Sequence, residues 1–473
     1  MTDLTREEIR RYGYEIVDWI ADYLHDPRAH RVLPDMQPGD LTAKLPRSAP
    51  ETGEPMDRIL ADFRELIVPA ITHWNHPRFM AFFSVSASAP GILAEALTAA
   101  VNTNGMLWKS SPANTELELV TVDWVRQWMG LPDGTFGIIH DTASLSTIHA
   151  IAAAREAADP EARTRGGSQH LTIYTSQHAH SSVEKGAIAI GIGQQNVRKV
   201  PVDAEFRLQP RELAEMIRAD RAAGKQPFCV VPTVGTTATT AIDPVPAVAE
   251  ICASERLWMH VDAAYGGAAA VVPELRHLLD GCERADSFVV NPHKWFFTPI
   301  DLSTLFTKHP ETMRRAFSLV PAYLRTNEDG RVVNLMDYGM PLGRRFRALK
   351  LWFVLRYFGR EGIAEVIRQQ CGWARELAAE IAQDPRFELT APTTLSLVCF
   401  RYRGTNDQNR QLIDDVNRSG EAFLLGNEIA GVFMIRFAIG NMRTTRDDVF
   451  AVWRAIREAA GRIAAPARTQ SGS

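Results

Sequence analysis

Leu257-Trp-Met-His-Val-Asp-Ala-Ala-Tyr-Gly-Gly267 opens as an apolar run, closes that run on an aspartate and passes at once into small residues. Six residues with so little polar alternation predict a strand covered on both faces, as in a parallel sheet flanked by helices. The same texture recurs outward from it, at Gly137–His140, Leu171–Tyr174, Phe228–Pro232, Ser287–Val290 and Leu302–Phe306, with helical segments between. The expected fold class is therefore α/β with a mainly parallel sheet. Such sheets bind ligands beyond the carboxyl ends of their strands, so the residues just after each run are where chemistry should be sought.

Asn291-Pro-His-Lys-Trp295 follows Phe288-Val-Val290 directly and puts Lys294 in that layer. A lysine that forms an imine must react uncharged, which burial beside another cation and aromatic walls promotes. His293 and Trp295 could supply such walls, although a lone Lys-Trp pair more often marks a solvated loop. Asp262 changes that balance. Pyridoxal phosphate needs a carboxylate against its pyridine nitrogen, because a protonated ring is the better electron sink. Taken alone, Asp262 could equally be a turn residue capping Ala263 onward. Ala263, Ala264, Gly266 and Gly267 are expected to let a flat ring approach the backbone. Asp141-Thr-Ala-Ser144, where a strand turns into the helix Leu145–Ala158, offers N–H groups and hydroxyls to a phosphate, and simple N-capping by Thr142 or Ser144 is compatible with that. Gly235-Thr-Thr237 adds hydroxyls in the same layer. Gln177-His-Ala-His180 places an imidazole where it could lie on the ring. No cysteine or acid nearby completes a metal site, so no metal is expected.

The remainder sets the frame. Thr5-Arg-Glu-Glu8 has the form of a capping box ahead of an amphipathic helix. A Pro-rich stretch and a second amphipathic segment, Met56–Ile71, come next, and these residues are too few to enclose a core of their own. We expect an N-terminal helical dimerisation segment (1–88), a large cofactor-binding α/β domain (89–350) and a small C-terminal α+β domain (351–473). The 473 residues are 45% hydrophobic and 23% charged with a net charge of −4, which disfavours disorder and gives no basic field for nucleic acid or anionic membrane. The five cysteines are scattered, and the start lacks the apolar core of a signal peptide, so a reducing, cytoplasmic setting is expected.

These segments together resemble the group II pyridoxal-phosphate decarboxylases, especially the aromatic-L-amino-acid decarboxylases. The likeness also covers His73-Trp74, Ser111-Pro-Ala-Asn-Thr-Glu-Leu117, His180-Ser-Ser-Val-Glu184, Pro341-Leu-Gly-Arg-Arg-Phe-Arg347 and Leu397-Val-Cys-Phe400. The resemblance implies a fold-type I transferase-like architecture with pyridoxal 5'-phosphate as cofactor. It implies that Lys294 is the Schiff-base lysine, Asp262 the pyridine partner and His180 the stacking histidine. Ala143, Ser144, Thr237, Asn291 and His293 would hold the cofactor, with Ala264 beneath the ring; whether Thr236 or Thr237 makes the contact depends on alignment. Tyr323 would protonate the substrate carbanion from a mobile loop. Substrate would meet Trp74, Phe82, Phe83, Val85 and Gly343, and a homodimer would contribute Asn104 and Met106 from the partner subunit's wall. The animal enzymes it resembles carry Pro and Thr where Ser84 and Val85 stand, and Ile and Phe where Asn104 and Met106 stand. Gly343 matches the small residue that admits bulky aromatic side chains.

The implied activity is decarboxylation of an aromatic L-amino acid to its amine. A decarboxylation-coupled aldehyde synthase is the nearest alternative, and both Tyr323 and His180 argue against it. A decarboxylase of non-aromatic amino acids is another alternative. A catalytically silent dimer that binds the cofactor or an amino acid belongs to a different class, and would be marked by loss of Lys294, Asp262 or Tyr323.

Overall fold

A computed structural model of the chain describes residues 3–319 and 330–464, which form two compact units. The larger comprises Val85–Ala378 and Leu389–Cys399. Its centre is a seven-stranded sheet of β1 (Phe136–His140), β2 (Leu171–Ser176), β3 (Val197–Val200), β4 (Gln226–Val231), β5 (Trp258–Asp262), β6 (Ser287–Val290) and β7 (Ser303–Thr307). The spatial order is β1-β7-β6-β5-β4-β2-β3. Only β7 runs against its neighbours β1 and β6. The predicted runs are thus all strands, and the last is the antiparallel one. β3, Val-Arg-Lys-Val, escapes the sequence reading because it is short and half polar, as an edge strand can be.

β2, β5, β6 and β7 are buried along their whole length, which is why they read as unbroken apolar runs. The helix Ala143–Ala158 lies against the sheet on Ala150, Ile151, Ala153 and Ala154. Small side chains there let helix and sheet backbones approach closely. All five cysteines are buried and unbridged. Burial raises the thiols of Cys229, Cys252, Cys282 and Cys371, so they pack as apolar groups.

The smaller unit comprises Met1–Ser84, Ala379–Glu388 and Phe400–Ser473. The capping box forms as expected: Glu8 N–H donates to Thr5 Oγ1 (3.3 Å), Thr5 N–H donates to Glu8 Oε2 (2.8 Å), and the helix Arg6–His25 begins there. The segment 56–71 is not one α-helix; Met56–Asp62 passes into a π turn and then a 3₁₀ turn at Val68–Ala70. The N-terminal residues find cover in the C-terminal ones. Val32, Phe79 and Ala81 are buried with Phe423 and Leu425 packed against them. Met80 N–H donates to Phe423 O (2.9 Å) and Ala438 N–H to Met80 O (2.9 Å). Asp448 receives Arg28 at 2.6 Å and Arg78 at 3.2 Å.

Several histidines are buried in neutral form. His140 and His149 stack at 4.2 Å. His149 Nδ1 lies 2.6 Å from Leu145 O, and its Nε2 accepts from Met340 N–H (2.8 Å). Burial holds His140 well below the ordinary histidine range, lowers His149 as well, and holds His260 down to about 4. A depressed pKa means that the unfolded chain binds protons the fold refuses. The stability these residues lend is complete above about pH 6.5 and is lost as pH falls towards their folded-state values. We predict a denaturant midpoint that is flat above neutrality and declines from pH 6.5 to 4.5. The loss should reach up to about 1.4 kcal/mol per histidine per pH unit. A midpoint unchanged between pH 7 and 5 would contradict this.

Candidate active site

β5 and β6 are parallel neighbours, with His260 opposite Ser287 and Asp262 opposite Val289. The pairing continues past the strand ends, because Ala263 N–H donates to Val289 O (3.1 Å) and Asn291 N–H to Ala264 O (3.1 Å). The Asp262 turn and the turn carrying Lys294 are thereby clamped side by side. Lys294 N–H donates to Asn291 O (2.9 Å), starting the short helix Pro292–Trp295. The Asp262 carboxylate is aimed by Ala264 N–H, which donates to Oδ1 at 3.0 Å.

Lys294 keeps some accessible surface, yet burial lowers its pKa against the opposing pull of Asp262. His180 follows the end of β2, keeps an exposed side and stands within electrostatic reach of both; partial desolvation lowers it, Asp262 raises it and Lys294 lowers it. Ser182 N–H donates to His180 Nδ1 (3.2 Å), leaving the ring proton on Nε2. His178 turns elsewhere, edge-on to Phe206 at 5.7 Å.

His293 is buried and its Nδ1 accepts from Leu302 N–H at 3.0 Å. Burial, with Lys294 and Lys350 assisting, pushes it down to about 3. His293 thus meets Lys294 as a neutral imidazole with its proton on Nε2, so desolvation and not a neighbouring cation favours the neutral amine. Trp295 is equally fixed, stacked on Tyr265 at 4.5 Å and donating to Gln370 Oε1 at 2.6 Å.

The glycines do something other than make room for a ring. A Cβ on Gly266 would fall 2.5 Å from Val234 O, and one on Gly267 would fall 2.9 Å from Val290 Cγ2. They allow the turns after β4 and β5 and the end of β6 to touch. Thr236 is buried and used internally, since its Oγ1 accepts from Ala241 N–H (3.1 Å) and contacts Thr239 Oγ1 (3.2 Å). Thr237 is the exposed member of the pair, which favours it as the contact.

At the carboxyl end of β1 no side chain caps the helix Ala143–Ala158. Thr142 instead donates both its N–H (2.5 Å) and hydroxyl (3.2 Å) to Asp141 Oδ1. The capping alternative thus falls away, and the N–H groups of Ala143 and Ser144 are left for an anion. Ser146 Oγ lies 2.8 Å from Ser303 Oγ, tying this helix to β7. Asn291 is buried with no hydrogen-bond partner for Oδ1 among the described residues. A desolvated polar atom beside Lys294 is what a site shaped for a polar ligand leaves behind.

Residues 38–403 match the family described as the pyridoxal-dependent decarboxylase conserved domain. The chain belongs to that family. It is 39% identical to the aromatic-L-amino-acid decarboxylase of Cavia porcellus over 97% of this chain and 99% of that one. It is also 39% identical to the phenylacetaldehyde synthase of Arabidopsis thaliana, over 96% of each. A solved structure of Oryza sativa TDC with PLP and tryptamine matches with a TM-score of 0.94 at 34% identity, covering 98% and 99% of the two chains. The chain is accordingly a carboxy-lyase with a fold of the pyridoxal-phosphate decarboxylase type, and its cofactor is pyridoxal 5'-phosphate. The observed groups fit that cofactor: a buried amine, an oriented carboxylate, a neutral imidazole and an uncapped helix start.

The remaining expected residues fall in three places. Asn104 and Gly343 are in contact, and Met106 sits beside Leu107 and Met336, all in the larger unit, where Val85 is half-buried. In the smaller unit Phe82 stacks on Trp74 at 5.4 Å and is 45% exposed, whereas Phe83 is buried beneath Arg436. Tyr323 lies outside the described residues. The sequence reading passed over Glu118 and Arg344, whose buried ion pair anchors the Gly343 turn; only the unexplained arginine of Pro341–Arg347 hinted at it.

Lys294→Ala should abolish the visible absorption band of the cofactor-bound enzyme together with turnover. Asp262→Asn should keep the band and lose roughly 10²-fold in rate, as for a removed electrostatic stabiliser. A normal band in the lysine variant would place the imine elsewhere.

Proposed function

We propose that this decarboxylase acts on aromatic L-amino acids, releasing the amine and carbon dioxide, and that it works as a cytoplasmic homodimer. The observation that carries the chemistry is the clamped pair of strand ends that brings Lys294 and Asp262 to one site. The aromatic class is supported by the small residue at 343, by the open aromatic face of Trp74 and Phe82, and by the names of the relatives.

Pyridoxal phosphate supplies the electron sink for the pair left on Cα when carbon dioxide departs. Lys294 offers an amine whose neutral form burial favours, and it is the residue that would hold the cofactor covalently. Asp262 would hold a proton at the pyridine nitrogen, its Oδ1 being kept in line by the Ala264 N–H. His180 presents a neutral ring with its proton on Nε2. Ala143, Ser144 and Thr237 would hold the phosphate, and Asn291 and His293 would complete the cofactor's surroundings. We assign delivery of a proton to Cα to Tyr323.

The dimer is supported by apolar surface. Leu93, Leu97 and Val101 repeat every four residues on the helix Ala89–Val101 and are each about half exposed or more. Ile9, Tyr14, Ile16 and Val17 are exposed on the N-terminal helix. Stripes of this kind mark association surfaces, and we assign dimerisation to the first 88 residues together with the helix Ala89–Val101. Among the described residues no helix is long and apolar enough to cross a membrane.

The similarity to a phenylacetaldehyde synthase favours one second reading, oxidative release of aldehyde. The two part on products. With a panel of aromatic amino acids, wild type should yield amine equal to the carbon dioxide released; peroxide in that proportion would make the chain a synthase. Tyr323→Phe should slow amine formation and raise aldehyde output, and unchanged amine turnover would remove Tyr323 from the mechanism. Light scattering should give the mass of a dimer, and Leu97→Glu should weaken it; an active monomer would refute the assembly.

A further inference from the structure

The wall formed by Asn104 and Gly343 carries a polar group whose orientation is fixed. Asn104 Oδ1 accepts from the Arg344 N–H at 2.9 Å. A backbone N–H needs an acceptor, so the oxygen branch of the amide is the one turned to Arg344 and the NH₂ branch is the other. A Cβ placed on Gly343 would lie 3.6 Å from Asn104 Nδ2 and 3.9 Å from Oδ1, so the NH₂ faces the space that Gly343 leaves open. Both residues are exposed, and among the described residues none accepts from Nδ2.

The support behind the amide is rigid. Arg344 is buried and forms an ion pair with Glu118, while its Nη2 also donates to Ile139 O at 3.0 Å. Ile139 N–H donates to Glu118 Oε1 at 2.8 Å, tying the pair to β1. On the other side Gly105 N–H donates to Arg344 O (2.9 Å) and Ser110 Oγ to Asn104 O (3.0 Å). The donor is therefore held in place before any ligand arrives, and little ordering is lost on binding.

We propose that Asn104 is a specificity-determining residue that favours substrates whose aromatic side chain carries a hydrogen-bond acceptor, a ring hydroxyl or a ring nitrogen, over bare phenyl rings. This rests on the aromatic decarboxylase and homodimer readings above, in which Asn104, with Gly343 beside it, lines the side-chain end of the partner subunit's substrate site. An apolar wall would barely distinguish a ring from its hydroxylated form, whereas a donor covered by a bare ring loses water and gains nothing.

The probes are phenylalanine and its near-isosteres 3- and 4-pyridylalanine, whose ring nitrogen accepts but does not donate at the mildly alkaline pH of the assay. Two isomers are needed because the amide could reach either ring position. kcat/KM is measured with the pyridoxal-phosphate-loaded enzyme for wild type, Asn104→Asp and Asn104→Ile. Asn104→Asp keeps the acceptor that Arg344 requires and removes the donor, so it tests the donor without loosening the wall. Wild type should prefer one pyridylalanine by roughly threefold to tenfold. Asn104→Ile should abolish that preference and Asn104→Asp should reverse it. Taking the ratio across variants cancels the electronic difference between the rings. If Asn104→Ile fails to fold, the aspartate variant decides. Ratios that stay unchanged in Asn104→Asp, or a wild type without preference, overturn the proposal while leaving the decarboxylase reading intact. A wild type that decarboxylates no aromatic amino acid overturns both.

Discussion

The register between β5 and β6 is the constraint on which the site depends. Asp262 stands opposite Val289, and two backbone hydrogen bonds carry the pairing past the strand ends. Parallel strands lie about 4.8 Å apart, so a carboxylate ending one and a lysine a few residues beyond its neighbour are forced into one small volume. A slip of one residue would turn Asp262 to the opposite face of the sheet. The glycines at 266 and 267 belong to the same constraint, since side chains there would push the turns apart.

Given that geometry, desolvation sets the protonation states. Lys294, His180 and His293 are all held towards their neutral forms by burial, while Asp262 supplies the one opposing charge that acts on both Lys294 and His180. The arrangement does not need a neighbouring cation to activate the lysine. His293 serves instead as a neutral acceptor that fixes the start of β7 through Leu302. A site whose amine and imidazoles are held towards neutrality suits a ligand that brings a phosphate and a titratable ring nitrogen of its own.

Much of this was legible because doubly covered strands announce themselves as apolar runs and because Asp262 and Lys294 directly follow two of them. The capping box at Thr5 and Glu8 was legible for a similar reason: both interactions are local. What escaped was set by distant contacts. β3 is too short and polar to stand out, and the strand Leu425–Ile429 joins Val432–Ala438 through an Ala-Gly turn with two left-handed residues that carries none of the usual asparagine or aspartate. The cover that Phe423 and Leu425 give to Val32 and Phe79 joins residues almost 400 positions apart, and no periodicity reports it. The choice between Thr236 and Thr237 likewise turned on burial, which spacing does not encode.

The Glu118–Arg344 pair shows how such distant contacts bear on chemistry. Both side chains are almost fully buried. Removing two charges from water costs about as much as their attraction returns, so the pair adds little net stability over an apolar replacement of the same shape. Its value lies in position. Glu118 accepts from the β1 backbone at Ile139 and holds the guanidinium, and Arg344 then sets its own N–H and carbonyl against Asn104 and Gly105. The wall at Asn104 and Gly343 is thereby referenced to the same sheet whose neighbouring strands place Asp262 and Lys294. Breaking one charge would leave the other buried and unpaired and would release that reference, so the cost would fall on the geometry of the wall before it fell on the fold.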